Sequence, residues 1–224
     1  MTNEIENQIL VLGDSHADIY FNELKKLFPN LIIRAVGGAT TQGLVNPNSK
    51  TDALCQFKKS LKDFGKITSH CIILLGEVDC GFVIWYRQQK YNDTIKNQFN
   101  RSLNNYFEFI ENNLLNFYPR KNIIICGVVP PTIKDNTDKR FLNGARSQVN
   151  ASLISRTKLT KKYNEKLLNY AKKNQMNYIS IFDDVISKKD GLIDEYYLND
   201  NKYDHHLSAS KCTDLWFKKL KRIF

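Results

Sequence analysis

Long apolar segments are missing from this 224-residue chain: no stretch approaches the roughly 20 uninterrupted apolar residues that a membrane-crossing helix requires. The opening MTNEIENQ has neither the basic end nor the apolar middle of a secretory signal, so a cytoplasmic location without an integral membrane segment is expected. Cysteine is sparse too. Cys55, Cys71, Cys80, Cys126 and Cys212 are odd in number and never spaced CxxC, which argues against a disulfide framework or a structural zinc site. The first glycine turn holds a single glycine where a dinucleotide fingerprint or a P-loop needs several, and this disfavours a nucleotide-binding protein. A net charge of +10 raises the question of nucleic acid, but the lysines are spread over several predicted helices and the aromatic residues follow no RNA-binding pattern. A solvated basic surface is the ordinary reading, and attraction to anionic glycans or headgroups is the other.

What is present is a set of short apolar runs alternating with amphipathic stretches. The runs Ile9 to Leu12, Leu31 to Ile33, Cys71 to Leu75, Asn122 to Cys126 and Tyr178 to Phe182 are nearly continuous β-branched or apolar segments, as in parallel strands buried on both faces. Helices are expected over Asp18 to Leu27, Asp52 to Leu61, Asp93 to Asn116, Leu159 to Lys173 and Ser208 to Leu220, the third showing apolar residues at three- and four-residue steps. This alternation predicts one α/β domain spanning residues 1–224, a three-layer sandwich around a doubly wound parallel sheet of about five strands. Such sheets bind ligands outside the carboxyl ends of their strands, where GDS, GGATTQG, GEVDC and GVVPPT stand in this sequence. The longest predicted loops, Pro130 to about Leu153 and Gly191 to Ser208, fall at that same edge.

Ser15, one step beyond the first strand and just before a helix, reads either as a helix cap or as a nucleophile at the helix's positive end. A nucleophilic serine needs a base, and the chain offers only His16, His70, His205 and His206. His16 is expected to leave the helix in another direction, and His70 precedes its strand at the wrong edge. The pair His205-His206, in NDNKYDHHLSAS before the last predicted helix, can return to the edge that carries Ser15.

Taken in order, GDS after the first strand, Gly-Ala-Thr after the second, a G-x-x-D segment after the third and an acid-histidine pair before the last helix resemble the SGNH, or GDSL, hydrolase superfamily. The resemblance spans Ile9 to Leu215. It implies a flavodoxin-like sandwich, serine esterase or acyl-transfer chemistry, and neither metal nor organic cofactor. By position it implies Ser15 as nucleophile, His206 as general base, and the N–H groups of Ser15 and Gly38 as an oxyanion hole. Two blocks depart from the family pattern. Val78 stands where an asparagine usually donates to the oxyanion, a loss that typically costs roughly 2.7 to 4 kcal/mol unless another group replaces it. The acid expected three residues before the base is Tyr203, so Asp204 is the preferred orienting acid, with Asp200 or a backbone carbonyl as alternatives.

The segment GEVDCGFVIWYRQQKY carries Glu77, Asp79, Trp85 and Arg87. An aromatic face beside charged donors suits a sugar, and this GEVDC variant resembles SGNH-like proteins linked to surface polysaccharide. These four residues are therefore candidate substrate ligands. Their other reading is structural, with the carboxylates tying down loops and the aromatics packing as core. The expected activity is cleavage or transfer of a small acyl ester, acetyl on a carbohydrate. The alternative is a non-catalytic glycan- or partner-binding module that keeps the fold.

Overall fold

The computed structural model describes residues 8–224. Five strands, β1 (Ile9–Gly13), β2 (Leu31–Ala35), β3 (His70–Leu74), β4 (Ile123–Cys126) and β5 (Asn177–Ile179), form one parallel sheet in the order β2-β1-β3-β4-β5. Seven α-helices accompany them: α1 (Ser15–Leu24), α2 (Ala53–Phe64), α3 (Ile84–Lys90), α4 (Ile95–Asn112), α5 (Ala145–Gln148), α6 (Leu153–Lys173) and α7 (Ala209–Leu220). None among the described residues is long and apolar enough to cross a membrane.

The period-two alternation of each strand divides the core into two layers. Leu10, Leu12, Ile73 and Ile125 join side chains of α2, α4 and α6 on one face. Ile9, Val11, Ile72 and Ile124 join those of α1 and α7 on the other. Each fully buried side chain of this size contributes about 1.5–3 kcal/mol, which is why the central strands read as unbroken apolar runs. The pairing of α1 with α7 matters most for the site. Trp216 of α7 is fully buried against Tyr20 and Phe21 of α1, at 6.2 and 5.8 Å between ring centres. The loop that precedes α7 is thereby fixed to the helix that follows β1.

Several boundaries differ from the sequence expectation. Helix α1 begins at Ser15 rather than Asp18 because Asp14 caps it, and α6 begins six residues early because Ser152 accepts the Ser155 N–H. Strand β5 stops at Ile179, where its carbonyl accepts the Gly127 N–H and Ser180 turns the chain. The short helices α3 and α5 carry too few apolar repeats to be read from periodicity.

Candidate active site

The chain passes from β1 into α1 with one residue between them. A Cβ on Gly13 would collide with the Ala17 side chain and the Leu74 carbonyl, so strand, helix and β3 meet at a spacing that only glycine allows. Asp14 turns the chain, its carboxylate accepting the His16 N–H at 2.9 Å. Ser15 is the first helical residue and half-buried, with its hydroxyl at the positive end of α1.

The rest of the site arrives from the loop before α7. The Leu207 N–H donates to the Tyr20 hydroxyl at 3.0 Å, the Ser208 N–H to the Tyr197 carbonyl at 2.8 Å, and the Thr132 hydroxyl to the Asp204 carbonyl at 3.3 Å. Held at these points, the loop sets His206 Nε2 2.8 Å from Ser15 Oγ. On the far side of the ring, Nδ1 lies 2.6 Å from Asp204 Oδ1, which also accepts the His206 N–H at 2.9 Å. A carboxylate only accepts, so Nδ1 carries the proton and Nε2 offers its lone pair to the serine hydroxyl. Burial, then the neighbouring His16, push the His206 imidazole down to about 4 against the pull of Asp204. It is neutral at pH 7 and able to take a proton.

Gly38 stands at the same edge. Val36 donates to the Gly13 carbonyl at 2.9 Å, which lays the turn after β2 beside the end of β1. Gly38 has φ +72°, a conformation that favours glycine. Among the described residues, neither its N–H nor that of Ser15 donates to a protein acceptor, so both can receive an oxyanion. Asp79 holds this turn in place. It accepts the Thr41 N–H and the Thr41 hydroxyl, each at 2.9 Å, and the Ser102 hydroxyl at 3.2 Å.

The four candidate ligands after β3 are engaged within the protein to different degrees. Asp79 is fully buried and committed to the Thr41 turn, and Glu77 is buried facing His16, with Oε2 3.6 Å from Nε2. Trp85 donates its indole N–H to the Cys80 carbonyl at 2.8 Å and packs between apolar clusters. Arg87 donates to Gln98 Oε1 at 3.2 Å, lies over the Tyr91 ring, and borders a separate depression with Thr40 and Gln42. Val78 is buried and supplies no donor. Cys80 is buried as well, and burial raises its thiol far above the ordinary range.

His16, His205 and Arg146 complete the arrangement. His16 does not leave the site: it is fully buried, with Nδ1 3.2 Å from Asp14 Oδ1 and its ring 4.4 Å from that of His206. Burial alone would lower it, but the charges of Asp14 and Glu77 outweigh burial and raise it. The His205 ring centre lies 3.9 Å from that of His206, tilted at 43°, and its Nε2 accepts a hydrogen bond from Arg146 at 2.6 Å. A signal was present for His16. Asp14-x-His16 repeats the spacing of Asp204-x-His206, and in both pairs one carboxylate oxygen takes the N–H and the Nδ1 of the histidine two residues on.

One nitrogen from each of His16, His205 and His206 lies within 4.8 Å of the others, a spacing compatible with a metal ion. The hydrogen bonds of His206 to Asp204 and Ser15, and of His205 to Arg146, compete with that use. A cation would also sit close to the guanidinium, so the donor set fits a hydrogen-bonded cluster better than a metal centre.

No protein-family model and no curated protein matches this sequence. Solved structures do match it. A GDSL-like lipase from Bacteroides thetaiotaomicron superposes with a TM-score of 0.65 at 13% identity, over 96% of this chain and 86% of that one. The chain has the GDSL hydrolase fold. Two further solved structures span it equally well. A carbohydrate acetylesterase family member from Sinorhizobium meliloti gives a TM-score of 0.58 at 12% identity, over 97% of this chain and 96% of that one. An extracellular lipase from Streptomyces rimosus gives 0.55 at 12%, over 97% and 100%. At these identities the likeness is one of fold, and the chemistry must be argued from the side chains the GDSL fold brings together here.

Proposed function

We propose that this chain is a serine ester hydrolase or acyltransferase acting on a small acyl ester, acetyl carried on a carbohydrate. The observation that carries the reading is the hydrogen-bonded series Ser15, His206, Asp204, at 2.8 and 2.6 Å. In this mechanism Ser15 Oγ attacks the ester carbonyl while His206 Nε2 takes its proton. Asp204 keeps the imidazole in the reactive tautomer and stabilises the imidazolium that forms. The N–H groups of Ser15 and Gly38 hold the oxyanion of the tetrahedral intermediate, aided by the α1 dipole. His206 then returns the proton to the leaving alcohol. Water resolves the acyl-enzyme in hydrolysis, and a sugar hydroxyl does so in transfer.

Two features support a sugar substrate. A groove of about 330 Å³ runs to Asp204 and is lined by Asn199, Asn201, Tyr203 and Thr137, a ring with amide and hydroxyl partners beside it. One structure with the same fold is a carbohydrate acetylesterase family member. Val78 favours a second reading, a glycan-binding module without turnover, because its side chain cannot donate to an oxyanion. Hydrolysis of p-nitrophenyl acetate separates the two. The enzyme turns the ester over, and Ser15→Ala and His206→Ala each abolish turnover. A binding module gives the same background rate in all three proteins.

A further inference from the structure

A second cavity, of about 270 Å³, is walled by Phe82 and by residues of the chain from Ile133 to Arg156. Its charge is one-sided. Lys134, Lys139, Arg146 and Arg156 line it against a single carboxylate, Asp135. That carboxylate is already engaged, accepting the Leu153 N–H at 2.6 Å and lying 3.5 Å from Arg156. Arg156 is satisfied by the Ala151 and Ile133 carbonyls, and Lys134 by Glu195. Among the described residues, Lys139 and Arg146 have no carboxylate at ion-pair distance.

Arg146 is the less satisfied of the two. Its guanidinium lies 5.1 Å over the Phe82 ring, one terminal nitrogen donates to His205 Nε2, and its Nε is buried with no hydrogen-bond partner. A buried donor on a charged group costs free energy unless a ligand or water satisfies it. The guanidinium fork also matches the paired oxygens of a carboxylate or phosphate. The cavity connects to the proposed base, since His205, which Arg146 touches, lies 3.9 Å from His206 between ring centres.

We infer that this cavity is a subsite for an anionic group, so that the preferred ester is carried on a sugar bearing a carboxylate or a phosphate. The substrate clause rests on the ester-hydrolase reading above, and the binding clause does not. Arg146 is the principal ligand and Lys139 the second, with Phe82 forming an apolar wall for the sugar ring. Binding weakens as salt is added, because Lys139 is exposed.

Calorimetric titration of the Ser15→Ala protein with glucuronate, glucose 1-phosphate and glucose tests the inference without turnover. At least one charged sugar is expected to bind roughly tenfold or more tightly than glucose, as for one charge-assisted pair of hydrogen bonds. Arg146→Gln in that background should remove most of the difference, and Lys139→Gln, at an exposed position that does not threaten folding, a smaller part of it. Preference for glucuronate marks a carboxylate-bearing substrate, and preference for glucose 1-phosphate a phosphorylated one. The subsite is overturned if neither charged sugar binds at millimolar concentration, if glucose binds as tightly as both, or if both variants leave the preference unchanged. Selective binding by a protein that turns over no ester would retain the subsite and reject the chemistry. Ester turnover without charge selectivity would do the reverse.

Discussion

The imidazoles of His16 and His206 lie 4.4 Å apart, centre to centre, inclined at 52°. One is held between two carboxylates and raised, and the other faces Ser15 and is lowered. Burial is the first cause of that lowering, and the residue beside the proposed nucleophile adds to it.

The pH dependence follows from this contact. A lowered base stays neutral into acid, so kcat/KM for p-nitrophenyl acetate should hold its plateau below the ordinary histidine value of 6.5 and reach half near about 4. His16→Gln removes the adjacent imidazole, which helps to lower His206, while Asp14, Glu77 and Asp204 remain, and the acid limb should move upward. An unmoved limb would mean that His16 does not act on His206. Arg146 touches His205 rather than His206 and is not among the causes of the His206 shift, so Arg146→Gln should shift the limb less.

His16 and Glu77, buried with Nε2 and Oε2 3.6 Å apart, should be energetically coupled. Removing one partner strands the other away from water, at a cost of about 3–5 kcal/mol for such pairs. His16→Gln and Glu77→Gln should each lower the urea midpoint, and the double variant should lose clearly less than the sum of the two. Strict additivity would count against the pairing.

Asp79 braces the proposed oxyanion turn from behind, through Thr41. Asp79→Asn removes one oxygen acceptor from the Thr41 contacts, and the resulting drift of Gly38 should lower kcat by up to about a hundredfold while changing KM far less. Steady-state kinetics on one ester gives both numbers. A rise in KM with kcat preserved would instead place Asp79 in substrate binding.

Tyr20 ties the two halves of the site through one hydrogen bond to the Leu207 N–H. Tyr20→Phe keeps the ring packed on Trp216 and should cost about 1 kcal/mol of stability. Its larger effect should fall on kcat, through a looser His206. Equal kcat in the two proteins would show that the loop is held without this bond.

The sheet was legible because β1, β3 and β4 are buried on both faces, and only β-branched or long apolar side chains fill such positions. Ser15, His206 and Asp204 could be singled out because each lies beside a strand end or a helix cap, where residue type and position together carry information. Helix starts at Ser15 and Leu153 were missed because one capping side chain decides them. The contact between Arg146 and His205 was invisible for another reason. They are 59 residues apart, and nothing in local periodicity reports a contact made across two long loops. Glu77 and Asp79 invited a ligand role by their composition, and only burial distinguishes a carboxylate that faces solvent from one that holds a turn or pairs with a buried histidine.

Covalent labelling with a fluorophosphonate, followed by mass spectrometric mapping of the adduct, asks most directly whether the Ser15 hydroxyl is activated by His206. One adduct on Ser15, lost in Ser15→Ala and strongly slowed in His206→Ala, is the predicted result. An unlabelled protein, or a label elsewhere that survives Ser15→Ala, would contradict it.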